Sequence, residues 1–171
     1  PTTILYPSGS CPDVFVRDRD TDNDGVLDET GAVLTERVSV DSNGNQVNAV
    51  NCWTQPLGSG SAAIQETSCP RISGDGRHVV FTSFATDLVA GDSNNTCIIT
   101  GAAVPDDNCP DVFVHDRVTD ATTLVSVDTN GVQANERNHY SRINADGRYV
   151  LFTSQGTNLV AGDTNGQWDA F

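Results

Sequence analysis

Lysine and methionine are absent from the 171 residues, and all nine basic side chains are arginine. Nine Arg against 23 Asp and Glu leave a formal net charge of −14. Such a field repels phosphate backbones and anionic lipid surfaces and attracts cations, so no nucleic acid partner is expected. No apolar run approaches the roughly 20 residues that cross a bilayer as a helix, so no membrane insertion is expected either. Apolar residues nowhere recur with a period of 3.6. Nucleophile-elbow, HExxH, phosphate-loop and dinucleotide-binding signatures are missing as well. The chain opens on PTTILYPS, without an initiator Met or a signal-peptide pattern, and reads as a mature or excised piece of something longer.

What is present is a succession of short β-branched segments, DVFVRD, TERVSV, RHVVFTS, DVFVHD, TTLVSV and RYVLFTS, separated by Asn, Asp, Gly and Ser clusters. That pattern predicts an all-β chain, and 37% hydrophobic content suffices for a packed core. Self-comparison organises it. CPDVFVRDR at 11–19 recurs as CPDVFVHDR at 109–117, offset by 98; RVSVDSNGNQVN at 37–48 recurs as LVSVDTNGVQAN at 124–135, offset by 87. RISGDGRHVVFTSFATDLVAGD at 71–92 recurs as RINADGRYVLFTSQGTNLVAGD at 142–163, offset by 71. The shrinking offsets place insertions of 11 and 16 residues in the first copy, and a third insertion separates Asp92 from Asp111. Each unit reads as four strands, around Arg142 to Asn144, Tyr149 to Ser154, Asp111 to Asp116 and Thr123 to Asp128.

Four antiparallel strands per repeat is the arithmetic of a propeller blade. The motifs S-x-DGR-x-V-x-F-T-S, T-[DN]-L-V-A-G-D, D-V-F-V-x-D-R and V-S-V-D-x-N-G resemble the WD40-like repeats of TolB-type β-propellers. The resemblance implies antiparallel four-stranded β-propeller blades, about two blades' worth. Residues 1–48 would be the C-terminal half of a blade, 49–135 one complete blade and 136–171 the N-terminal half of a further one. Isolated, such an incomplete propeller leaves sheet edges open. Either the remainder of a longer propeller chain closes it, or other copies of the chain meet it head to tail as a filament or ring. Against the simplest head-to-tail version, Asp169-Ala170-Phe171 and Asp13-Val14-Phe15 are equivalent and would claim one strand position.

Five cysteines remain to be placed. Cys52 and Cys69 bracket most of the 16-residue insertion and Cys97 and Cys109 bracket the third, so each pair is expected to staple a loop at 52–69 and 97–109. Cys11 is left over, either a buried thiol or a partner to a cysteine elsewhere. No CxxC occurs, and His78, His115 and His139 are dispersed, which disfavours zinc. Disulfides imply an oxidising compartment, hence the expectation of a secreted or cell-surface protein, bacterial and extracellular.

The first insertion, at 18–31, carries DRDTDNDGVLDE. With Gly25 as the sixth position of a calcium loop, Asp20, Asp22 and Asp24 take the first, third and fifth positions. Val26 offers a carbonyl at the seventh and Asp28 stands at the ninth. Ca2+ takes six to eight oxygens, alternate side chains point one way, and Gly permits the sharp turn. Position twelve is Gly31 rather than a bidentate Glu, so the pattern resembles the DxDxDGxxD loops of thrombospondin type 3 repeats, with Glu29 or Asp18 to fill the vacancy. The competing reading is an acidic hairpin tip that only keeps the surface soluble.

A weaker second cation site is read at Asp163, Asn165, Gln167 and Asp169, against a plain Asx turn with Gly166 at positive φ. Asp41 to Gly44 and Asp128 to Gly131 read as turns between strands. His78 aligns with Tyr149 and His115 with Arg17, so neither needs a catalytic explanation, while His139 sits in an exposed-looking ERNHY segment. Trp53 is expected as a contact residue and Trp168 at a blade junction. The expectation is a non-catalytic, calcium-stabilised extracellular module with a structural, adhesive or self-assembly role. The alternative is a carbohydrate- or protein-binding propeller domain of a longer surface protein or secreted hydrolase.

Overall fold

The structure is a computed structural model and describes residues 13–47, 70–94, 98–99, 102–103 and 109–171. Among these residues every regular element is a strand: β1 (Phe15–Asp18), β2 (Leu34–Arg37), β3 (Arg71–Ile72), β4 (His78–Ser83), β5 (Ile98–Ile99), β6 (Ala102–Ala103), β7 (Asp111–Asp116), β8 (Ala121–Leu124), β9 (Asn138–Ile143), β10 (Val150–Ser154) and β11 (Asp169–Ala170). The fold is all-β, as the spacing of Val, Ile and Phe predicts. All pairings are antiparallel.

Three sheets follow the repeat. The first is the hairpin β1-β2, the second is four-stranded in the order β3-β4-β7-β8, and the third is three-stranded in the order β11-β10-β9. The separate β5-β6 ladder lies within the third insertion. In the second sheet six consecutive pairs, from His78↔Asp116 to Ser83↔Asp111, join β4 to β7.

Alternation along these strands builds two apolar layers, because successive side chains leave opposite faces of a sheet. Val79, Phe81 and Phe113 leave one face of the middle sheet and pack with Val14, Val16 and Val38 of the first. Val80, Val112 and Val114 leave the other face and pack with Phe152, Val150 and Phe171 of the third. Phe81 and Phe113 stack with ring centroids 5.9 Å apart, and Phe152 and Phe171 repeat that contact at 5.9 Å. Full burial of each such side chain is worth about 1.5–3 kcal/mol. The middle sheet is therefore covered on both faces, and the outer two on one each.

The fourth strand is shorter and earlier than Thr123 to Asp128. Ladder pairing ends at Leu124, Val125 N–H still reaches Val112 O at 2.9 Å, and the chain then turns. Ser126 causes the departure: its hydroxyl donates to Asp111 and accepts from Val112 N–H, which replaces further ladder bonds. Ser39 repeats the arrangement with Asp13 and Val14 N–H. β9 is longer than expected, starting at Asn138, and a bulge lies opposite the step from Leu151 to Thr153, with Tyr140 at φ 55°.

Candidate metal centre

β1 leads directly into the acidic insertion and β2 receives the chain from it. The base of the loop is closed by Thr21 N–H to Ala32 O at 3.0 Å, Asp28 N–H to Arg19 O at 2.7 Å and Ala32 N–H to Glu29 O at 3.2 Å. At the tip the chain folds around Asp20. Its carboxylate accepts Asp24 N–H at 3.1 Å and Gly25 N–H at 3.0 Å, and Asp24 accepts Val26 N–H at 2.8 Å. Asp18 accepts Asp20 N–H at 3.1 Å and so orients the start of the loop. Gly25 turns at φ 90°, the left-handed region that a residue with Cβ enters at a cost.

This winding brings one carboxylate oxygen each of Asp20, Asp22 and Asp24 within 4.8 Å of one another. Two unit charges about 4 Å apart repel by about 1 kcal/mol in water and several times more near a protein surface. Partial desolvation raises the Asp20 pKa, and the hydrogen bonds led by Gly25 N–H outweigh it and hold that carboxyl below its usual range. The Asp20 carboxylate is thus held ionised, and the three groups converge as a hard cation's oxygen donors would.

Asp28, the ninth position, is placed differently from the expectation. Its carboxylate receives Arg19 at 2.6 and 2.9 Å and Arg17 at 3.5 Å, and its own φ is 63°. The Arg19 hydrogen bond, set against partial desolvation, keeps its pKa low. Arg17 and Arg19 thus both serve Asp28, and Arg17 also Thr35, rather than the three converging carboxylates. Val26 is exposed at the tip and Glu29 is exposed beside it.

The second expected site is held by its own side chains. Asn165 donates to Asp169 at 3.0 Å, Gln167 N–H donates to Asn165 at 2.7 Å, and Gly166 takes φ 61°. Asp163 lies on the same turn, exposed to an intermediate degree. The Asp41 and Asp128 turns are as predicted. Asp41 accepts Asn45 N–H at 2.8 Å and Asn43 N–H at 2.9 Å, and the Asn45 side chain and backbone hold its carboxyl at about 2. Bridges Val40↔Gln46 and Val127↔Gln133 close both turns.

Other sequence candidates fall as follows. His115 is buried, with Nδ1 2.9 Å from the Thr122 hydroxyl, which in turn donates to Val40 O at 2.6 Å. His139 is not exposed: its ring lies 5.3 Å from Trp168, and burial followed by repulsion from Arg137 pushes it down to about 4. Cys109 is buried and disulfide-bonded. Cys11, Cys52, Cys69, Cys97 and Trp53 lie outside the described residues.

A buried acidic network escaped the sequence reading. Asp111 accepts Ser126 at 2.8 Å, Asn138 at 3.0 Å and Gln133 at 2.9 Å, and the same Gln133 amide donates to Asp92 at 2.7 Å. Burial pushes the Asp111 carboxyl up to about 7 against the pull of Ser126. The available signal was the recurrence of Asp13, Asp111 and Asp169 at one motif position. An open cleft of about 760 Å³ lies nearby, lined by Ser93, Asn94, Gln133, Asn135 and Asn158. Its amides are engaged in joining loops: Asn94 to Ala134 O, Asn135 to Thr157 and Asn158 to Gln133 O.

In comparisons with known proteins, no family model, no curated protein and no solved structure matches the chain.

Proposed function

We propose that the chain is a non-catalytic, calcium-stabilised β-propeller module of an extracellular protein, with a structural, adhesive or self-assembly role. The observation that carries the reading is the convergence of Asp20, Asp22 and Asp24 within 4.8 Å on a loop grafted into a sheet hairpin. The equivalent β7-β8 hairpin manages with a short turn from Arg117 to Asp120. Calcium therefore has a loop to lock and no role in the sheet itself. Magnesium fits less well, because it demands tighter octahedral geometry and releases its waters reluctantly.

Three packed antiparallel sheets built from one repeated unit support the propeller reading, and the disulfide at Cys109 supports an oxidising compartment. Asp18 and Glu29 stand closest in the chain to complete the coordination, and Asp28 joins it only by leaving Arg19. The alternative of carbohydrate or protein binding draws little support from the cleft, whose amides already have partners.

Isothermal titration tests the reading. Calcium is expected to bind the intact chain with a dissociation constant of about 10⁻⁴–10⁻³ M, the range of extracellular calcium modules. Asp20→Asn, Asp22→Asn and Asp24→Asn combined abolish the heat and leave the β-sheet circular dichroism unchanged. Absence of binding at millimolar calcium overturns the metal assignment. Loss of the sheet signal in the triple variant overturns the confinement of the metal to the loop.

A further inference from the structure

Three Asn-Gly pairs occur in the sequence, at Asn43-Gly44, Asn130-Gly131 and Asn165-Gly166. In such a pair the backbone nitrogen of the glycine can attack the side-chain carbonyl carbon of the asparagine, because the glycine has no Cβ to shield that nitrogen. All three asparagines and their glycines are exposed, and the glycines take φ values of 77°, 81° and 61°. Neither access of water nor backbone region therefore separates the three pairs.

Hydrogen bonding does. Gly44 N–H donates to Asp41 O and Gly131 N–H donates to Asp128 O, both at 3.0 Å. Asn43 and Asn130 also turn their amide nitrogens back to the carboxylates of Asp41 and Asp128, at 3.4 and 3.2 Å. Gly166 N–H, by contrast, donates to no group among the described residues. Asn165 Oδ1 accepts Gln167 N–H at 2.7 Å, a turn that curls the side chain around the Gly166 nitrogen, and its Nδ2 donates to Asp169 at 3.0 Å. The attacking nitrogen is thus tied up in two of the pairs and free in the third.

We infer that Asn165 is a site of spontaneous deamidation, the fastest of the three Asn-Gly pairs in the folded chain. The Gly166 nitrogen gives its proton to solvent and bonds to Asn165 Cγ, the Cγ–Nδ2 bond breaks, and the side-chain nitrogen leaves as ammonia. Water then opens the cyclic imide at either carbonyl. One opening leaves aspartate; the other routes the backbone through the side chain as isoaspartate. Water enters, ammonia departs, and nothing is oxidised or reduced. At Gly44 and Gly131 the same attack waits until the turn hydrogen bond opens. The product at position 165 carries a carboxylate where the amide donated to Asp169, so that hydrogen bond is lost and two like charges meet on the turn. The inference stands apart from the calcium assignment.

Peptide mapping by mass spectrometry tests this on the 171-residue chain incubated, folded, in mildly alkaline buffer. Deamidation at Asn165 is expected to run roughly tenfold faster than at Asn43 or Asn130, the factor that one turn hydrogen bond sets. In urea all three turns are open, and each asparagine follows a small hydroxyl residue, Ser42, Thr129 or Thr164, so the three rates converge. Gly166→Ala slows the reaction at Asn165, because the added Cβ has open space around it and shields the attacking nitrogen without a clash. Asp128→Ala removes the carboxylate that gathers Asn130 N–H and Val132 N–H, and speeds Asn130 while leaving Asn165 unchanged. Equal rates at the three pairs in the folded chain overturn the inference. A ratio that persists undiminished in urea overturns it as well, since the order would then come from sequence neighbours and not from the fold.

Discussion

Asp111 and Asp20 are both aspartates at strand-loop junctions, yet their surroundings push them in opposite directions. Asp20 sits in a solvated loop among backbone N–H donors and stays ionised. Asp111 is buried, and removal from water dominates its three side-chain donors. Its folded value of about 7 exceeds the ordinary 3.8, so the folded state holds the proton more tightly than the unfolded chain. The resulting contribution to stability is complete below about pH 4, shrinks as pH climbs and is gone above about pH 7. Asp111→Asn fixes the group in a neutral form. The stability advantage of wild type over this variant is therefore expected to narrow between pH 4 and pH 7 in urea melts. A constant difference would show that Asp111 stays ionised throughout. This network was not legible in the sequence, because Asp92, Asp111, Gln133 and Asn138 belong to four separated segments that only the fold gathers. The convergence of Asp20, Asp22 and Asp24 was legible because the contacts of that loop span few residues; the Arg19 bridge to Asp28, nine positions apart, was not, because no loop pattern encodes it.

At the scale of elements, local chemistry fixed turns more reliably than strand ends. The DxNG turns were readable because one Asp carboxylate gathers the N–H groups two and four positions on. The end of β8 was not, because Ser126 takes over bonds that an unbroken alternation would have given to the ladder. The contacts between sheets were equally hidden. Gly147, in the turn before β10, takes φ 73°, and a Cβ there would run into the His78 ring of the middle sheet. Gly44 has a similar φ of 77° and open space around it. Gly44→Ala is expected to cost about 1 kcal/mol for the left-handed backbone alone. Gly147→Ala costs clearly more, and the excess, read from paired thermal melts, measures how tightly the second and third sheets are seated. Equal losses would mean that the His78 ring yields without penalty.

For the whole molecule, the middle sheet is the part that both apolar layers share, since Phe113 enters one and its neighbour Val112 the other. Phe113→Ala is expected to cost about 3–5 kcal/mol and to lower the melting temperature while keeping a single calorimetric transition. Two transitions would show that the outer sheets melt independently of their shared neighbour. The ring of Trp168 lying 5.3 Å from His139 has a use beyond packing. A neutral imidazole leaves indole emission largely intact, whereas a charged one quenches it, and this imidazole stays neutral until about pH 4 while it is covered. In a Trp53→Phe background, Trp168 emission then becomes an optical gauge of whether the last sheet is closed over its histidine. It dims near pH 6.5 when the sheet is open and only near pH 4 when it is shut.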